Sequence, residues 1–199
     1  MVITFIYGIA IGYMTVNIAG GICKKELTYE FTTKECSIVA MILGLIYCLF
    51  YRKSMLGFEF FKHCVIATML FLAALIDFKT KNVYFFITII SFLFSTVFVM
   101  ITYFSGNCIE DYVVGAVAMG IISYIFALFK VIGLGDVEIF IICGISIGFY
   151  KSIEVLILSI FLCGIYGIFK IIKNIAIKKE RVAFVPYILM AFVVVSLGI

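Results

Sequence analysis

The chain contains no tryptophan, one proline and one histidine, and only 13% of its 199 residues are charged. Each shortage excludes something. One histidine and seven cysteines that never form a Cys-x-x-Cys pair leave no ligand set for a zinc site or a disulfide framework, so neither a metal nor another cofactor is expected. Without Ser/Pro/Gln-rich stretches or blocks of charge there is no candidate linker, disordered tail or low-complexity segment. A formal net charge of +4, carried by lysines scattered among apolar runs, gives no basic stripe for nucleic acid, and none is expected as a partner.

Apolar residues fill the space left by these absences. They make up 66% of the chain, against roughly 45–50% in soluble domains, which excludes a water-soluble fold. Charged clusters divide the sequence into eight apolar segments, roughly 2–22, 37–51, 63–78, 83–104, 112–129, 137–150, 153–172 and 182–199. Lipid offers no partner to an open backbone, and runs this long and continuous do not alternate as barrel strands do, so each reads as a helix. The expected fold is an all-α, polytopic transmembrane bundle of about eight spans, forming one domain over 1–199. Segments 37–51 and 137–150 are short for a crossing that takes about 20 residues. The first segment begins at Val2 with no preceding Lys or Arg, so it reads as a retained span and not a cleaved leader.

Basic residues accumulate in cytoplasmic loops. With eight spans, eleven of the 15, including Lys79, Lys81 and the cluster Lys173–Arg181, fall on one side. Arg52, Lys53, Lys62 and Lys151 fall on the other. The first side is therefore expected to be cytoplasmic, with both termini outside, in a cell membrane whose lipids are the surrounding partner. Small residues four apart, at Gly8/Gly12, Ala116/Gly120 and Gly144/Gly148, would let helices approach closely. The chain carries no signal of an oligomeric state.

Most acidic residues lie in loops or at segment edges, where water accounts for them. Asp77 and Asp136 abut long apolar runs at the cytoplasmic ends, Asp77 closing the run from Cys64 and Asp136 opening the run Val137-Glu138-Ile139-Phe140-Ile141. A carboxylate beside hydrocarbon is costly unless paired, hydrated or protonated, which makes these two candidate functional residues. Eight spans put them at similar depth on one side. Two facing carboxylates do not easily both ionise, so one proton is shared: one group activates water and the other protonates a scissile carbonyl. The structural alternatives are a helix cap for Asp136 and an interfacial ion pair with Lys79 or Lys81 for Asp77. Two glycines in Gly133-Leu134-Gly135-Asp136 remove bulk where a substrate strand would approach. His63, at the outer edge of its span, reads as half-hydrated and is on the wrong side for the aspartates.

Gly-x-Gly-Asp at a helix start, preceded in the chain by Leu75-Ile76-Asp77 and a basic stretch, resembles the type IV prepilin peptidases. The resemblance implies a cytoplasm-facing aspartic peptidase that removes short leaders from prepilin and pseudopilin precursors, with Asp77 and Asp136 catalytic and Gly133 and Gly135 as motif glycines. Gly12 to Asn17 resembles the signature of that family's first span and Val185-Pro186-Tyr187 the start of its last, implying structural roles for Asn17 and Pro186. Bifunctional members carry a zinc-binding methyltransferase domain between the first two spans. Here that loop is only about residues 23–36, so a peptidase without methyltransferase activity is expected. Family members commonly have Ile-Pro-Asn or Ile-Pro-Asp after the first aspartate and Gly-Asp-Val-Lys at the second; this chain has Val83-Tyr84-Phe85 and Glu138 instead.

Two other readings stay open on sequence. Gly-Leu-Gly-Asp also occurs in the presenilin and signal-peptide-peptidase group, whose partner motif is Tyr-Asp where this chain has Ile76-Asp77, and whose Pro-Ala-Leu element is here Pro186-Tyr187-Ile188. Paired intramembrane acids also suit a proton-linked transporter or an assembly subunit.

Overall fold

The structure, a computed structural model, describes residues 1–27, 32–172 and 182–198. The basic cluster Lys173–Arg181 lies outside the described residues, as does part of the loop at 23–36. Eight helices follow in order: α1 Val2–Leu27, α2 Thr33–Ser54, α3 Phe58–Thr80, α4 Phe85–Phe104, α5 Glu110–Leu128, α6 Leu134–Ile147, α7 Phe149–Ile172 and α8 Val185–Leu197. The described residues form no strand. This is the polytopic helical bundle expected of so apolar a chain, and the protein is a membrane protein.

Helix α3 is the hub, packed by α1, α2, α4 and α8. Along its middle Ile66, Ala67, Leu70, Phe71, Ala73 and Ala74 are buried, whereas α5 and α7 leave broad apolar faces for lipid. Small residues set the closest approaches. A Cβ at Gly8 or Gly12 would fall 2.7 Å from the Cα of Gly44 or 2.6 Å from that of Ala40, so α1 and α2 touch backbone to backbone. In α6, Gly144 meets Gly115 of α5, one residue before the alanine expected there.

Among the described residues, six helices are long and apolar enough to cross a membrane: α1, α2, α3, α4, α5 and α7. The segment at 37–51 gains its length from both flanks, its start fixed by the capping box of Thr32 and Glu35. The segment at 137–150 stays short. Gly148, at φ +84, ends α6 at Ile147, and α7 begins at once with Phe149. The eighth segment becomes helical at Val185, with Pro186 in the first turn, where its missing N–H needs no partner. With 14 and 13 residues, α6 and α8 are only about 20 Å long, well under the ~30 Å of a hydrocarbon core. The eight expected segments are thus eight helices, six of them long and two short. Both short helices start at the end of the bundle where α3 finishes.

At the other end, Lys62 and His63 of α3 are buried, where a half-hydrated imidazole was expected. Lys62 pairs with Glu59 at 2.8 Å and sits over the Tyr112 ring, and His63 packs between Phe50 and Phe192 with Nδ1 2.6 Å from the Glu59 carbonyl oxygen. These contacts tie α2, α3, α5 and α8 together at the end of the bundle opposite the aspartates.

Candidate active site

Asp77 occupies the last turn of α3 and is 4% exposed. Its position is set by the helix terminus: Lys81, in the left-handed region at φ 56, ends α3 by donating its N–H to the Asp77 carbonyl at 2.8 Å. The side chain points to the start of α8. Val185 N–H donates to Asp77 Oδ2 at 3.0 Å, and the Phe184 N–H also reaches the carboxylate. The first N–H groups of a helix have no partner within it, and its N-terminus carries partial positive charge. Asp77 thus caps a helix 108 residues further along the chain. Pro186, next in α8, has no N–H to satisfy.

Asp136 is the third residue of α6 and is 8% exposed. Its Oδ2 accepts the Gly133 N–H at 2.9 Å, the return half of a capping box in which glycine provides no side-chain oxygen. No other hydrogen bond is made to this carboxylate by the described residues, so its second oxygen is open.

Three contacts bring the two carboxylates to one place. Helix α8 packs on both α3 and α6, and Phe184, beside the Val185 amide that holds Asp77, packs at a tilt of 55° against Phe140 of α6 with ring centroids 6.0 Å apart. The connection after Asp77 closes on the first turn of α6: a Cβ at Gly135 would lie 2.5 Å from the Val83 Cβ. Asp136 lies within electrostatic reach of Asp77, and Cys163 of α7 within reach of Asp136. Lys79, two residues beyond Asp77, meets Glu35 at the start of α2 at 3.3 Å.

Not every residue singled out in the sequence is part of this cluster. Gly135 faces Val83, so its lack of a side chain admits the chain's own loop. Gly133 has only the Asp136 carboxylate near its bare side. Asn17 lies on the exposed face of α1, away from the buried pair. The backbone amides of Phe184 and Val185 and the side chain of Val83 were not singled out. Only the Pro186 context hinted at the first two.

Fold and site together define a multi-helix membrane protein with two buried carboxylates held at one end of the bundle by helix N-termini. The chain belongs to the type IV leader peptidase family, whose family model matches residues 64–168, from α3 into α7, and includes both aspartates. Comparison with curated proteins and with solved structures returns no match. Membership makes the protein a leader-peptidase-like protease and implies aspartic peptidase activity on prepilin-type substrates.

Proposed function

We propose that the protein is a membrane aspartic endopeptidase that removes leaders from prepilin-like or pseudopilin precursors at the cytoplasmic face, with Asp77 and Asp136 activating water. What carries the reading is the convergence of the two motif carboxylates, both nearly buried, at the one end where α3 finishes and α6 and α8 begin.

The chemistry follows from two carboxylates sharing a proton. The ionised member takes a proton from water as the oxygen attacks the scissile carbonyl carbon. The protonated member gives its proton to the carbonyl oxygen, and a tetrahedral diol forms. Return of a proton to the amide nitrogen as the C–N bond breaks releases a leader with a new carboxyl end and a mature chain with a new amine. The roles belong to the pair and not to either residue, because interacting sites titrate together. Backbone donors fix one oxygen of each group, so little reorganisation is needed when charge moves.

Co-expression with a prepilin and mass spectrometry of the product test the reading. Cleavage at the junction of leader and apolar segment is expected, with a mature amino terminus that carries no methyl group. Asp77→Asn or Asp136→Asn should lower the rate by about 10²–10⁴-fold. Cleavage that persists in both variants overturns the assignment, and a cut in mid-membrane overturns the substrate class.

A further inference from the structure

The chain itself covers the carboxylates from α3, α6 and α8. Val185 and Phe184 lie over Asp77, the connection through Val83 closes on Gly135, and Phe184 bridges to Phe140. On the α7 side the second oxygen of Asp136 has no donor among the described residues, and Cys163 lies within its electrostatic reach. Helix α7 changes character there. Its first half packs into the bundle through Ser152, Val155, Leu156 and Ser159, and beyond Ser159 none of its residues is buried. Cys163, Tyr166, Gly167 and Lys170 follow at helical spacing along one face of this second half. The Tyr166 ring packs against Tyr187 of α8 with centroids 5.8 Å apart, which turns that face toward the start of α8. A Cβ at Gly167 would nevertheless meet no described atom within 4 Å. The two helices touch through the tyrosines and leave a cleft beside Gly167, with the half-buried Cys163 at its inner end.

Packing within the chain does not account for this opening. Glycine inside a helix costs about 0.5–1 kcal/mol relative to alanine. At Gly8, Gly12, Gly115 and Gly144 the missing side chain admits a neighbouring helix, whereas at Gly164 and Gly167 no described residue takes up the room. The hydroxyls of Tyr166 and Tyr187 have no hydrogen-bond partner among the described residues, and that of Tyr187 lies within electrostatic reach of Cys163. Cys163 is thus near a catalytic carboxylate on one side and a phenol donor on the other. Anchoring at the membrane interface would explain the two phenols. It explains neither the bare glycines nor a thiol facing the open side of Asp136.

The site itself identifies the occupant. A carbonyl to be attacked must lie at the aspartate pair, and the α7 side is the one that the chain's own loop and helix starts leave uncovered. The apolar stretch beyond the cut stays in the bilayer, which this half of α7 borders through the exposed Phe161, Ile165 and Ile168. We infer that the precursor reaches the pair between the second half of α7 and the start of α8, with Cys163 against a residue flanking the scissile bond and the Tyr187 hydroxyl donating to the backbone beside it. The inference rests on the proteolytic reading above. Each residue of an extended peptide offers a carbonyl acceptor that a phenol can take, so Tyr187 contributes to binding whatever the side chains. Cys163 acts through its size: a bulkier residue there takes the room of a large substrate side chain and spares glycine.

Cleavage by the purified protein in lipid nanodiscs is measured on precursors that differ only by Gly, Leu or Phe at the two positions flanking the scissile bond. At one of them Cys163→Phe should lower kcat/KM about tenfold or more for Leu or Phe relative to Gly, while Cys163→Ala leaves the wild-type order. An equal loss on every precursor, or none on any, makes Cys163 a packing residue and overturns the inference. Tyr187→Phe keeps the ring against Tyr166 and removes only the donor. It should lower kcat/KM about three- to tenfold on all precursors, mainly through KM, at unchanged melting temperature. Unchanged kinetics overturns the backbone contact. Position is read separately in Asp77→Asn, with a diazirine-bearing residue at each flanking position of the precursor and the adducts mapped by mass spectrometry. Adducts on the second half of α7 or on Tyr187 support the cleft, and adducts confined to other helices or to phospholipid overturn it. If Cys163→Phe does not fold, this mapping on an unaltered α7 decides alone. A folded wild type that cuts none of the precursors, in a chain whose Asp77→Asn variant carries these adducts, refutes the proteolytic reading and leaves the cleft standing.

Discussion

Asp77 has two tasks that one substitution can separate. Its carboxylate is half of the proposed catalytic pair, and it also accepts the Val185 amide that opens α8. Asparagine keeps an acceptor oxygen but cannot exchange the proton, so Asp77→Asn should be inactive yet retain wild-type thermal stability in detergent. Alanine leaves a buried amide without a partner, which costs about 1–3 kcal/mol. Asp77→Ala should therefore be inactive and melt measurably lower, and an alanine variant as stable as the asparagine one would remove the capping role. At this scale the sequence was informative about side chains and silent about backbone. Acids that interrupt apolar runs stand out in a sequence because charge in lipid is expensive. The amides of Phe184 and Val185 leave no such trace, since every residue but proline has one. His63 misleads for a related reason: its place at a segment edge says nothing of Phe50 and Phe192, which close over it from α2 and α8.

Among the elements, the first turn of α6 carries the tightest constraint on the pair. Gly135 meets Val83 where a Cβ would lie 2.5 Å from the valine Cβ, and that valine belongs to the connection leaving Asp77. A methyl at Gly135 must push the loop and the helix apart. Gly135→Ala should cost about 1–3 kcal/mol of stability and, because misplacement by an ångström can cost ~10²-fold, lower the cleavage rate by about 10–100-fold. Val83→Gly removes the obstructing atom, so the double variant should recover most of the rate lost in the single one. A double variant no better than Gly135→Ala would mean that the glycine serves something other than this contact. The glycines themselves were legible from the motif, but their function was not. Open space for a substrate and contact with the chain's own loop look alike until a neighbour is placed. Helix ends shifted by a few residues for a comparable reason. Hydropathy continues through Gly148, while the backbone geometry of that residue stops the helix.

Across the whole molecule, the alternation of the helices decides whether the proposed chemistry can meet its substrate. Although α6 and α8 are short, each reverses the direction of the chain, so the end of α3 and the starts of α6 and α8 share one face of the bundle. That face also carries the described basic residues Lys24, Lys34, Lys79, Lys81, Lys130 and Lys170, with Arg52, Lys53, Lys62 and Lys151 toward the other. Accumulation of positive charge on the cytoplasmic side would then orient the aspartates inward. The native thiols can report this. Cys108 is exposed in the connection between α4 and α5, at the end opposite the aspartates, and Cys36 is partly exposed in the first turns of α2, at their end. In intact cells a membrane-impermeant maleimide should label Cys108 and spare Cys36, with Cys108→Ser abolishing the signal; in inverted vesicles Cys36 should become the labelled site. The reverse pattern would put the carboxylates outside. A leader held in the cytoplasm would then never reach them, and family membership alone would not rescue the proposed substrate.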